Sequence, residues 1–413
     1  MKVRIDNLVK AISLSLDLVE THLAEHEVIN DSYSDIFYPK SKFTNHCKKV
    51  TYIALELAKE LNLPGDKIKK LYLASLIHDI GAISVPDTAS SKNFIKYHCI
   101  KGAELLQYFP FYSDISEIIL YHHENWNGSS VFKLKENEIP IESQIIRIAD
   151  LIAFQLFDEN ILSHSKKLCD WILSKKGIIF SDTIVNAFMR IAKKEYFWFN
   201  LNHVVDVHHI MESLEPKIDV YLTISQLEDV AYIFSKIIDS KSKFTAKHSR
   251  EIAKLAYDVS FDLGFSHEKC TKMRIAGLLH DIGKLAIPSS ILDKNGSLTD
   301  EEFNIIKSHV YYTRVILDSM NGLGEISDWA SNHHEKLNGK GYPFHLTDKS
   351  ISFESRILCV CDIYQALTED RPYRKGLSLS QSFSIIKSMV LDGSLCPDAV
   401  EAVYNTACKY NKI

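Results

Sequence analysis

Histidines and aspartates recur along this chain in two series with nearly the same spacing. His280-Asp281 is preceded by His248, 32 residues earlier, and followed by His309, the pair His333-His334 and Asp362. His78-Asp79 is preceded by His46, again by 32 residues, and followed by His98, the pair His122-His123 and Asp150. From the third histidine to the pair is 24 residues in each series, and from the pair to the last aspartate 28 in the first and 29 in the second. Imidazole with carboxylate suits Fe, Mn, Zn or Ni better than Mg or Ca. The aspartates sharpen that reading, because they lie in apolar surroundings. Asp281 closes Ala276-Gly277-Leu278-Leu279-His280, Asp362 lies within Ile357-Leu358-Cys359-Val360-Cys361-Asp362-Ile363-Tyr364, and Asp150 follows Ile145-Ile146-Arg147-Ile148-Ala149. A buried carboxylate without a positive partner is costly. Seven donors are too many for one ion and suit two, with Asp281 as the bridge.

The elements that must position these residues are helices. Glycine (15) and proline (10) are sparse in the 413 residues, and apolar residues recur at three and four, as in Ile275, Leu278, Leu279 and Ile282. No segment alternates as a strand, so the expected fold class is all-α with no sheet. The internal repeat makes it two helical-bundle domains in tandem. Lys40-Ser41-Lys42-Phe43-Thr44 returns unchanged as Lys241-Ser242-Lys243-Phe244-Thr245. The second copy has the longer step between its second and third histidines. A turn at Asn295-Gly296-Ser297 and a helix start at Leu298-Thr299-Asp300-Glu301-Glu302 account for the extra residues. The expected domains are 1–210 and 240–413, joined by a connecting helix over 211–239.

Composition bounds the rest. The hydrophobic content is 46% and the charged content 24%, ordinary for a globular protein. The net charge of −5 does not advertise a polymeric nucleic acid as partner. No apolar run suits a membrane span and the start lacks a signal-peptide core, so a cytoplasmic location is expected. The eight cysteines follow no framework spacing and are expected as free thiols.

Two stretches carry a family likeness. His280-Asp281-Ile282-Gly283-Lys284 and His333-His334-Glu335-Lys336-Leu337-Asn338-Gly339-Lys340-Gly341-Tyr342-Pro343 together resemble the HD-GYP family of metal-dependent phosphodiesterases that open bacterial cyclic dinucleotides. The resemblance implies two HD-type domains and, in the second, two divalent transition-metal ions, Fe or Mn, on His248, His280, Asp281, His309, His333, His334 and Asp362. Some relatives carry a further Glu for a third ion where this chain has Phe244. The resemblance also implies that Lys284 meets the scissile phosphate, that the turn bearing Tyr342 supports substrate binding, and that Arg371 and Arg374, with Lys375 beside them, hold phosphates. Asn338 stands where the family usually has Asp. Two metals at one site lower the pKa of a bound water for in-line attack on a phosphodiester. Cyclic di-GMP is the first expected substrate and 3′,3′-cyclic GMP-AMP the alternative.

The first copy keeps its donors, His46, His78, Asp79, His98, His122, His123 and Asp150, as a candidate second metal site. It lacks the rest: Ala82 stands in place of the lysine, Ser129-Ser130 in place of the Gly-Tyr-Pro turn, and no arginine follows its last aspartate in the matching stretch. It is expected to bind metal without efficient hydrolysis and to regulate or brace the second copy. Two competing functions remain. One is a receptor that binds a cyclic dinucleotide, or a partner such as a diguanylate cyclase, without turnover. The other is a hydrolase of ordinary nucleotides, which the Gly341-Tyr342-Pro343 turn disfavours.

Overall fold

The computed structural model describes residues 2–20, 28–31, 36–39, 45–82, 91–107, 109–155, 161–241, 247–370 and 375–410. The chain is built almost wholly of helices, as the periodicity requires. In chain order they are α1 (Ile5–Glu20), α2 (His46–Glu60), α3 (Gly65–Ile77), α4 (Ser91–Leu106), α5 (Ile115–Leu120), α6 (Ile141–Gln155), α7 (Ile161–Ser174), α8 (Asp182–Ala192), α9 (Glu195–His203) and α10 (His208–Glu212). There follow α11 (Ile224–Lys241), α12 (His248–Asp262), α13 (His267–Leu279), α14 (Ser289–Leu292), α15 (Asp300–Ser319), α16 (Glu325–Ser331), α17 (Phe353–Thr368), α18 (Leu379–Leu391) and α19 (Pro397–Tyr410).

Two compact units result, one of Ile12–Asp219 and the other of Met1–Ala11 with Val220–Ile413. In the first, α2 packs on α3, α6 and α8, and α4 on α5. In the second, α12 packs on α13, α17 and α19, and α15 lies against α16 and a 3-10 turn at Ile282–Ala286. Side-chain caps start several of the second unit's helices, the one at Thr299 where the sequence places it. Ser266 accepts from the amide of Lys269, Ser352 from that of Ser355, and Thr299 and Glu302 form a reciprocal capping box at α15.

Short strands depart from the expectation of no sheet. β1 (Val3–Arg4) pairs antiparallel with β4 (Tyr221–Leu222), and β2 (Val28–Asp31) with β3 (Ile36–Pro39). Two- to four-residue strands are too short for alternation to register, and the partner of β1 lies more than two hundred residues away. The β1–β4 pair is what ties residues 1–11 to 220–413. The helix expected over 211–239 runs only over Ile224–Lys241, because Pro216 cannot continue a helix, and 215–220 are non-helical. Among the described residues no helix is long and apolar enough to cross a membrane.

Candidate metal centres

Five helices and a 3-10 turn of the second unit bring the second series together. His248 opens α12, His280 caps α13, Asp281 leads into the 3-10 turn, His309 lies on α15, His333-His334 follow α16, and Asp362 lies on α17. Asp281 is the hub. Its Oδ2 is 3.1 Å from His280 Nε2 and 4.0 Å from His248 Nε2, and its Oδ1 is 3.4 Å from His309 Nε2 and 3.9 Å from His333 Nε2. Asp362 faces it, with Oδ1 at 3.3 Å from His248 Nε2 and Oδ2 at 3.9 Å from His334 Nδ1. One carboxylate thus addresses two groups of imidazoles, one through each oxygen.

The histidine tautomers follow from the helix ends. His280, His309 and His333 each place Nδ1 on the carbonyl three residues back: Gly277 O at 2.8 Å, Ile306 O at 2.6 Å and Ala330 O at 2.7 Å. A carbonyl only accepts, so each Nδ1 carries the proton and each Nε2 a lone pair. Those three Nε2 atoms are buried and have no hydrogen-bond partner among the described residues. Lone pairs aimed at carboxylate oxygens repel unless a cation lies between them. The residues therefore fit divalent metal, with the ring-orienting bonds that metal-bound histidines usually have. Burial would raise the Asp281 carboxyl, but the Lys284 ammonium bonded to it opposes this, and the carboxyl is held well below the usual carboxylate range. At Asp362 burial is likewise opposed, there by the hydrogen bond from His248, which keeps the carboxyl ionised. Burial also pushes His309 down to about 3, leaving it a neutral donor.

Four residues have supporting roles that escaped the sequence reading. Glu369 Oε2 accepts from His248 Nδ1 at 3.0 Å, which aims His248 Nε2 at Asp362. Thr313 donates to His280 O and accepts from the amide of Gly283, each at 3.0 Å, clamping the His-Asp turn to α15. Any Cβ on Gly283 would lie 1.9 Å from His309 O, so only glycine allows that approach. Glu335, almost fully buried, accepts from the amides of Phe344 and Leu346 at 2.8 Å each and shapes the Tyr-Pro turn. For Glu335 and Gly283 the signal was present, since both lie inside the quoted motifs. Glu369 and Thr313 carried none.

Of the residues expected to meet substrate, Lys284 donates to Asp281 Oδ2 at 2.5 Å. Tyr342 lies over His334, ring centroids 4.9 Å apart, at the edge of the centre. A Cβ on Gly341 would meet Lys336 N at 2.4 Å, so the turn beside Tyr342 requires glycine. Lys375 is exposed. Arg371 and Arg374, and Phe244 on the third-ion question, lie outside the described residues.

The first unit repeats the arrangement with a difference. His46 Nε2 is 2.9 Å from Asp150 Oδ1, and His78 Nε2 is 3.2 Å from Asp79 Oδ2 and 3.8 Å from Asp150 Oδ1. His98 and His122 place Nε2 at 3.6 and 3.8 Å from Asp79 Oδ1, and their Nε2 atoms are 3.2 Å apart. His78, His98 and His122 again turn Nδ1 to backbone carbonyls, at 2.9, 3.1 and 2.5 Å. His123 sits beside a cation, its Nδ1 2.9 Å from Arg147 Nη1, and groups with His98, Cys99 and His122 as residues that could hold a metal. Glu124 accepts from the amides of Phe132 and Leu134, as Glu335 does in the second unit, but the turn it shapes carries Ser129-Ser130 instead of Gly-Tyr-Pro.

Comparison with known proteins finds HD-domain relatives over both units. HD-domain family models match residues 43–154 and 232–395. The 3′3′-cGAMP-specific phosphodiesterase 1 of Vibrio cholerae is 29% identical over 383 residues, covering 89% of this chain and 88% of that protein. A cyclic di-GMP phosphodiesterase of Pseudomonas aeruginosa is 37% identical over 146 residues, 35% of each chain. The crystal structure of the cyclic GMP-AMP-specific phosphodiesterase V-cGAP3 of Vibrio cholerae shares the fold, with a TM-score of 0.66 at 21% identity over 98% of both chains. The chain is a tandem HD-domain protein, homologous to the HD-GYP phosphodiesterases of cyclic dinucleotides.

Proposed function

We propose that this protein is a metal-dependent phosphodiesterase that opens a cyclic dinucleotide at the centre built on Asp281. The observation that carries the reading is the convergence of three buried, unpartnered Nε2 atoms on the two oxygens of one ionised carboxylate. His248, His280, Asp281 and Asp362 would hold one ion, and Asp281, His309, His333 and His334 the other. Mn or Fe suits this imidazole-carboxylate set. Such ions would supply a water of lowered pKa and neutralise charge growing on the phosphate. Lys284, anchored on Asp281, is read as the residue that binds the scissile phosphate and supports the departing ribose oxygen. Tyr342, braced against His334 by the turn that Glu335 shapes, forms a wall for the nucleotide. Arg371 and Arg374 are proposed to take the remaining phosphate charge.

The preferred substrate is 3′,3′-cyclic GMP-AMP, since the relative similar along nearly the whole chain is specific for it. Cyclic di-GMP is the second reading, favoured by the higher identity of the shorter Pseudomonas match. The first unit, without the lysine and the Gly-Tyr-Pro turn, is read as regulatory or bracing.

Product analysis tests this. Protein loaded with Mn²⁺, or anaerobically with Fe²⁺, is given both dinucleotides side by side, with Asp281→Ala as control. Linear product from cyclic GMP-AMP in the wild type alone supports the reading. Linear product from cyclic di-GMP alone moves the substrate to the second reading. Bound ligand with no product from either would make the protein a receptor.

A further inference from the structure

We infer that Arg147 closes the second ion position of the first unit, substituting the protein's own guanidinium for a metal. Four observations converge on it. Arg147 is 1% exposed, among the largest fully buried side chains. Its Nη1 is 2.9 Å from His123 Nδ1 and its Nη2 donates to Asn125 Oδ1 at 3.2 Å. A guanidinium is always protonated and has no acceptor, so His123 Nδ1 must accept and its lone pair is committed. The corresponding atom in the second unit, His334 Nδ1, instead faces Asp362 at 3.9 Å.

The substitution is local. Arg147 lies three residues before Asp150, one helical turn back, and the residue three before Asp362 is Cys359, a buried neutral thiol. The segment that replaces the Gly-Tyr-Pro turn holds the clamp in place. Ser130 Oγ accepts from the amide of Asn125 at 2.8 Å, and Asn125 Nδ2 donates to Ser129 Oγ at 3.2 Å. Ser129-Ser130, Asn125, Arg147 and His123 thus form one connected device. His98, His122 and Asp79 still converge on the vacated position. A buried positive charge beside it, and one donor withdrawn, are what oppose a dication there. The first unit then holds at most one ion, on His46, His78, Asp79 and Asp150.

The inference rests on the metal reading of the second unit, and one experiment separates the two. Crystals of the full chain grown in Mn²⁺ are examined by anomalous scattering, for the wild type and for Arg147→Cys. Peaks beside Asp281 are the control, and their absence would overturn the metal reading and this inference with it. With the control present, the expected map has no peak among His98, His122 and Asp79 in the wild type and a peak there in Arg147→Cys. A wild-type peak at that position, or none in the variant, overturns the inference alone. If Arg147→Cys does not fold, His123→Ala serves: bound Mn per chain, by elemental analysis, is expected to stay unchanged. Loss of about one ion per chain would mean that His123 is a ligand.

Discussion

Glu369 and His248 are 121 residues apart in sequence and share a 3.0 Å hydrogen bond between Oε2 and Nδ1. That bond leaves His248 one orientation, with Nε2 at 3.3 Å from Asp362 Oδ1. Carboxylate partners of metal-bound imidazoles raise ligand basicity and typically contribute about 10–100-fold to metal affinity. Glu369→Gln is expected to weaken Mn²⁺ binding at the second unit by about that factor while the fold stays intact. Competition with a chelator of known affinity measures it, and unchanged affinity would show the contact to be incidental.

Lys284 offers a split between binding metal and using it. Its amine meets Asp281 Oδ2 at 2.5 Å, yet it adds a charge and no metal ligand. Lys284→Met is expected to retain bound metal while kcat falls about 10²–10³-fold, the usual effect of removing one preorganised charge at a reacting centre. Metal content and turnover measured on the same sample decide it. Loss of metal together with activity would assign Lys284 a structural role.

Glu335 supports the Tyr-Pro turn through two amide bonds of 2.8 Å. Glu335→Ala strands both amides, and hydrogen bonds to a charged acceptor contribute about 1.5–3 kcal/mol each. The expected result is a second-unit melting midpoint lower by several degrees and a raised KM, since Tyr342 loses its support. Glu335→Gln, which keeps one acceptor, should fall between. Thermal melts and steady-state kinetics on the two variants test the order.

Lys241 supplies a pH dependence away from the metals. Burial pushes its amine down from about 10.5 to about 7, and it donates to Leu285 O. Between those values the unfolded chain binds the extra proton, so stability rises as pH increases through the window. The cost is fully present below about pH 7. Lys241→Met is expected to stabilise the second unit by about 1–2 kcal/mol near pH 6, after allowing for the lost bond to Leu285 and partial solvent access, and by little near pH 10. Melting midpoints at the two pH values check this, and an equal shift at both would remove the titration from the explanation.

The order of ligands was written along the chain. A histidine on a helix end, a His-Asp pair closing an apolar helix and an aspartate inside another recur at matching separations. Helical periodicity is local, so it shows which residues share a face. The all-α class and the helix start at Thr299 were legible in the same local pattern. Glu335 and Gly283 lay inside legible motifs, but their tasks, accepting two amides and admitting His309 O, depend on what packs against them.

What only the tertiary structure decided are distances between elements far apart in sequence. Glu369 lies seven residues beyond Asp362, just past the end of α17, where any solvated glutamate could stand, and only the packing of α12 on α17 brings it to His248. Arg147 read as one charge in an apolar stretch, and only the approach of α6 to the segment after α5 puts its guanidinium on His123. The short β1–β4 pair joins residues 1–11 to the second unit for the same reason. Sequence determines the chemistry each position can offer, through side-chain type and local periodicity. Which lone pair faces an ion and which faces a guanidinium is settled by ångström differences in how helices pack.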